Sequence, residues 1–94
     1  MEKDAKQNLH AEHRERVRKR FLVSGLENFP DHNVLEFLLF YSIPRKDTND
    51  IAHELLNTFG SLSAVFDAPV EELVKVNGVG ESSAILIKLM LSLF

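Results

Sequence analysis

The residues best suited to chemistry are glycines and cations rather than acids or nucleophiles. They fall in one stretch, Leu73-Val74-Lys75-Val76-Asn77-Gly78-Val79-Gly80-Glu81-Ser82-Ser83-Ala84-Ile85-Leu86-Ile87. The spacing runs from an apolar helix end through Gly-apolar-Gly and three more residues to a small alanine and a second apolar helix. Gly78 and Gly80 allow positive φ and remove Cβ atoms where a ligand backbone must approach. Val79 is expected to turn inward and pin the hairpin, and Ala84 to let the two helices pack closely. Amides at the start of a helix have no helical acceptor, and they sit at the positive end of the helix dipole. The chemistry such a hairpin suits is the binding of one phosphate. Lys75 precedes it, and Lys88 lies about 12 Å further along the helix axis at 1.5 Å per residue. Glu81 works against an anion at the same place.

This pattern looks like a helix-hairpin-helix motif, built around the tight hairpin Asn77-Gly78-Val79-Gly80. The plainer reading of Gly-x-Gly is a turn that only joins two helices, and such hairpins also serve as packing or protein-contact units. Other chemistry finds little support. His10-x-x-His13 has no carboxylate pattern to complete a metal site. His32 reads as a loop residue and His53 as a solvated helix residue. Asp47 and Asp50 read as helix caps rather than paired acids. The chain has no cysteine, which removes thiolate ligands and nucleophiles. No Ser-His-Asp order or Walker loop stands out, so we expect neither an enzyme nor a cofactor.

The elements that must position the hairpin follow from periodicity. Residues 1–8 read as a frayed lead-in, and 9–24 as a helix stopped by Gly25. On it His10, His13, Val17 and Phe21 form one stripe. Arg14 and Arg18 flank that stripe on one side, Arg16 and Arg20 on the other. The cations are thus spread around the helix and are expected to snorkel around a docked edge; a nucleic-acid contact is the lesser reading. Pro30 opens the next helix, expected over 33–42 with Asp31 as its cap. It is apolar nearly all round, with Glu36 and Ser42 the clearly polar positions, so it belongs mid-domain. Pro44 ends it. Asp47 or Thr48 caps a helix over 49–59 that Gly60 stops, and Ser61 opens a short turn of helix over 61–66. Asp67 and Pro69 start a helix over 69–76, and the last helix runs from 81 to the end. No segment alternates as a strand does, so the fold is predicted to be all-α with five or six short helices.

Composition agrees with one globular domain. The chain has 94 residues, 45% apolar and 27% charged, with net charge −3. The charge is uneven: residues 1–20 hold seven Lys/Arg against four Asp/Glu, and residues 21–94 hold four against ten. A basic arm therefore precedes an acidic body. The first twenty residues lack the apolar core of a signal peptide. The apolar end, ESSAILIKLMLSLF, is too short to span a membrane. A cytoplasmic protein without membrane contact is expected.

A shift of 32 residues aligns Ala52-x-x-Leu55 with Ala84-x-x-Ile87, and the connector Ile43-Pro44-Arg45-Lys46-Asp47-Thr48 with Val76-Asn77-Gly78-Val79-Gly80. Both halves then read helix, connector, helix. Four stretches, HRERVRKRFL, LEFLLFYSIPRKDT, IAHELLNTFGSL and EELVKVNGVGESSAILI, make residues 13–94 resemble the N-terminal region of the RadC family of bacterial, DNA-repair-type proteins. That resemblance implies a tandem helix-hairpin-helix (SAM-like) domain over 13–94, after a flexible lead-in over 1–12, with a DNA-binding role. It also implies that members continue into a JAB/MPN-type domain with a zinc-binding His-x-His…Asp pattern. That pattern is absent here, so the chain reads as an N-terminal portion. Many members carry a glycine in the first connector, where this chain has Pro44. Proline removes an amide donor, and Arg45 and Lys46 supply charge in its place.

Two functions are therefore expected in competition. One is a DNA-binding module that holds phosphates without reading sequence, through Lys75, Asn77, Gly78, Val79, Gly80, Lys88, Arg45 and Lys46. The other is a protein-interaction or homodimerisation module that uses the apolar last helix, with Ile85, Leu89, Leu93 and Phe94 at its apolar end.

Overall fold

A computed structural model describes the backbone of residues 2–93 and the side chains of residues 9–93. Six helices follow in order: α1 (Glu2–Ser24), α2 (Asp31–Leu39), α3 (Thr48–Phe59), α4 (Leu62–Asp67), α5 (Val70–Leu73) and α6 (Glu81–Ser92). No strand occurs among the described residues, and the fold is all-α as expected.

Local chemistry explains most of the boundaries. Helix α1 begins at Glu2 rather than at residue 9, because Glu, Lys, Ala and Gln in the lead-in are good helix formers. Apart from that backbone, the lead-in lies outside the described residues. Gly25 ends α1 at φ +64, its amide bonded to the Phe21 carbonyl at 2.7 Å. Pro30 caps α2, and Asp31 stands inside the first turn instead of capping it. There its charge faces the positive helix end. Helix α2 stops at Leu39, earlier than expected. The next residues tighten into i→i+3 bonds, Tyr41 amide to Leu38 carbonyl and Ser42 amide to Leu39 carbonyl, as the chain turns toward Pro44. Asp47 caps α3 by accepting the Asn49 amide at 2.9 Å, and Ser61 caps α4 by accepting the Ala64 amide at 3.1 Å. Gly60 stops α3 at φ +96. Helix α5 is a single turn beginning after Pro69, where a longer helix was expected. Lys75 and Val76 leave it through i→i+3 bonds to Glu72 and Leu73.

The core is built from pairs. Helix α2 packs on α3, α5 packs on α6, and α4 bridges α3 and α6. Leu35, Leu39, Ala52, Leu55, Val65, Leu73, Ala84 and Ile87 are fully buried. Ala52 and Ala84, the small residues aligned by the 32-residue shift, both sit at helix contacts with no exposure, and so do Leu55 and Ile87. Helices α3 and α6 are each 12 residues long, so the two halves repeat in helix length as well as in buried positions. Helix α1 lies outside this pair of pairs. It docks on α2 through buried Val17 and through Phe21, whose ring centre is 5.1 Å from that of Phe37.

Candidate nucleic-acid interface

The two connectors lie side by side. The hydroxyls of Ser42, just before the first connector, and Ser83, in the first turn of α6, share a hydrogen bond of 2.8 Å. On the second connector, a Cβ added to Gly78 would stand 2.8 Å from Ile51 Cδ1 in the first turn of α3. Residues 43–48 and 77–80 therefore open on one end of the domain, as a tandem arrangement requires.

The two hairpin glycines do different jobs. Gly78 adopts φ +91, a conformation that L side chains rarely adopt. Its missing Cβ makes room for Ile51 and not for a ligand. Gly80 has φ −94 and ψ −175, so the expected positive φ is corrected there: the backbone is extended and open to any residue. A Cβ on Gly80 would meet nothing within 4 Å. Its value is the open space it leaves in front of the α6 N-terminus. Val79 is buried and its amide bonds the Val76 carbonyl at 3.0 Å. It pins the turn, as expected, and its own amide is used internally. Helix α6 has no side-chain cap, so the amides of its first turn face outward past Gly80.

The cations fall into two groups. Arg45, Lys46 and Lys75 are exposed. Lys75 pairs with Glu72 at 3.0 Å across one helical turn, an exposed contact that holds it only weakly. Asn77 is exposed in the turn. Lys88 is engaged elsewhere, because its Nζ donates to the Phe66 carbonyl at the end of α4 at 3.0 Å. The structure thus gives Lys88 a cap for α4 in place of the free reach expected along α6. Glu81 is exposed beside the hairpin, where it competes with an incoming anion.

Two features escaped sequence reasoning. Arg14 is buried, and its guanidinium donates to the carbonyls of Phe40 at 3.3 Å and of Ile43 and Lys46 at 2.7 Å. It clamps the first connector, which has no glycine of its own. Burial, and next the neighbouring Arg18, lower its pKa from the usual arginine value. Glu36 is the other. It is 1% exposed, and its carboxylate accepts from His13 Nε2 and, at 2.8 Å, from Asn49 Nδ2. His13 is thus committed to Glu36. The one acid in a nearly all-apolar helix was the available signal, since a buried carboxylate needs partners. Two other arginines of α1 do snorkel: Arg20 lies 4.2 Å over the Phe29 ring, and Arg18 5.8 Å over Phe40. His53 is exposed on α3 as expected, whereas His32 lies in the first turn of α2 and not in a loop, and the two rings stack at 4.4 Å.

An apolar groove of about 700 Å³ opens on another side, between α1, α2, α4 and α6. Phe37, Leu38, Tyr41, Leu62, Phe66 and Met90 line it. On the outer face of α6, Ile85, Leu89 and Leu93 are 53%, 50% and 64% exposed. Phe94 lies outside the described residues. Among the described residues no helix is long and apolar enough to cross a membrane.

Paired helix–connector–helix units whose connectors open together make a small all-α domain. The UPF0758 N-terminal family model matches residues 9–85. A UPF0758 protein of Fusobacterium nucleatum is 47% identical over 78 residues, covering 83% of this chain and 34% of that protein. One from Ruegeria pomeroyi is 49% identical over 71 residues, covering 76% of this chain and 32% of that protein. A third, from Rhodobacter capsulatus, is 46% identical over 66 residues, covering 70% and 31%. The chain belongs to the UPF0758 family, the RadC-like family that its motifs resemble. It spans about a third of the length of the curated relatives it matches. No solved structure matches it significantly.

Proposed function

We propose that this domain binds nucleic acid through phosphates and without sequence preference. The observation that carries this reading is the shared end of the two connectors, tied by the Ser42–Ser83 hydrogen bond. There the uncapped first turn of α6 faces outward past Gly80, next to exposed Arg45 and Lys46. Amides and cations at such a place see phosphate oxygens and not base edges. Lys75, Asn77, Gly78 and Val79 frame the hairpin, and the loss of Lys88 to the Phe66 carbonyl shortens the track. The net charge of −3 makes binding weak and salt-sensitive. Log K for duplex DNA should fall against log salt with a slope of about −3 to −4, three or four phosphates being neutralised. Gly80→Val should keep the fold, since the added side chain points into open space, and should weaken binding more than Lys88→Ala. Titration of a labelled duplex with both variants checks this, with circular dichroism as the fold control. Parent-like binding by Gly80→Val, or no binding by the parent at about 20 mM salt, refutes it.

A second reading is contact with a second copy of the chain through α6. Half-exposed Ile85 and Leu89, with Leu93, form an apolar strip on a helix whose opposite side is already in the core.

A further inference from the structure

We propose that the cleft between α1 and the first connector is a second phosphate site, which takes the backbone of the same polynucleotide as the hairpin. The inference rests on the phosphate-binding reading above and extends it from Arg45 of the first connector to Arg14 and Arg18 of α1. The cleft measures about 530 Å³, and Arg14, Arg18, Arg45, His10 and Glu15 contribute its charged and titratable groups. Three guanidiniums thus face one carboxylate.

The charge is fixed there by the fold. The bonds of Arg14 go to three carbonyls, which satisfy donors but carry no formal charge. Its burial therefore leaves a positive charge with no ion pair within 4.0 Å among the described residues. Arg18 is half-buried, lying over the rings of Phe40 and Tyr41 at 5.8 and 5.9 Å, so its guanidinium is held at the cleft instead of waving in solvent. Among the described residues Glu15 is the acid that pairs with it, at 3.9 Å, too long for a good hydrogen bond. Arg45 is exposed on the opposite lip. Two of these cations repel: after burial, Arg18 is the next cause of the lowered pKa of Arg14, and Glu36 and Asp47 offset it only in part. An anion between them relieves that repulsion. Arginine forks match phosphate oxygens in a bidentate way.

Placement selects a polymer over a free ion. Pro44 and Arg45 line the cleft, and Ser42, two residues earlier, touches Ser83 of α6. The cleft and the open space before Gly80 are thus joined by a few residues of one connector. A chain of phosphates can run from one to the other.

The test follows arginine Nε–Hε and backbone amide NMR signals of the 94-residue protein. The probes are a 12-base-pair duplex and, separately, inorganic phosphate, at about 20 mM salt to limit screening. The duplex should shift Arg18 and Arg45 together with Gly80 and Ser82. Arg18→Gln/Arg45→Gln should weaken duplex binding roughly 10- to 100-fold near 0.1 M salt and flatten the salt slope by about 2. Arg45→Gln alone, at an exposed position, should flatten it by about 1 with the fold intact. Duplex shifts at Gly80 and Ser82 that leave Arg18 and Arg45 unmoved overturn the cleft and spare the hairpin. Shifts at the arginines alone keep the cleft and overturn the hairpin. No shift at either overturns both. If inorganic phosphate moves the arginines and the duplex does not, the cleft is a small-anion site and the polynucleotide assignment falls.

Discussion

Gly78 and Gly80 stand two positions apart and answer to different physics. Gly78 is held at φ +91 with Ile51 Cδ1 where its Cβ would be, so it belongs to the interior. Gly78→Ala combines a left-handed backbone with a contact that must give, and should cost about 1–3 kcal/mol. Urea denaturation of the purified variant measures this. A midpoint equal to that of the parent would show that the turn relaxes and that Ile51 yields. Gly80 has neither constraint, which makes it the cleaner site for asking about binding. The same contrast holds among the lysines: Lys88 is tied to the Phe66 carbonyl, while Lys46 is exposed.

At the scale of elements, the first connector needs an explanation that the second does not. The Gly78-Val79-Gly80 turn is held by a glycine conformation and one buried valine. The Phe40–Asp47 segment has no glycine. It is closed from outside by Arg14 of α1, which binds three of its carbonyls. Helix α1 is therefore part of the fold and not an appended arm, and its His13–Glu36 contact fastens it further. Arg14→Met keeps much of the apolar stem but leaves those carbonyls short of a donor. It should destabilise the domain by about 2–3 kcal/mol. Arg14→Lys should restore only part, because one ammonium cannot reproduce a planar fork. Thermal unfolding of the two variants beside the parent measures this. Full rescue by lysine would mean that charge alone matters there.

The whole molecule presents a polar end, where the connectors meet, and apolar surfaces on α6 and beside α4. Ile85, Leu89 and Leu93 are exposed to an extent that a domain of this size seldom leaves uncovered in one strip. Reversible dimerisation at high micromolar concentration is the expected result in sedimentation equilibrium, and Ile85→Lys/Leu89→Glu should abolish it. A monomeric parent would remove the second reading and leave the phosphate-binding one unaffected, since the strip and the connectors are distinct surfaces. The stretch of each relative that this chain matches is about a third of that relative's length.

Sequence by itself determined the elements and the repeat. Prolines, glycines and capping residues are local signals, and they placed the starts or stops of α2 to α6 to within a few residues. The paired alanines at 52 and 84 revealed the two halves. It also singled out the hairpin, because Gly-apolar-Gly between helices needs no distant partner to be recognised. Tertiary structure alone decided how the cations are used. The sequence placed His13 on the α1 stripe, Arg14 beside it and Lys88 on the outer side of α6, yet their partners are 22 to 32 residues away in the chain. Helical periodicity reports which side of a helix a residue occupies, but not which carbonyl another helix brings to it. For the same reason the cleft formed by Arg14, Arg18 and Arg45 was invisible until α1 and the first connector were placed against each other.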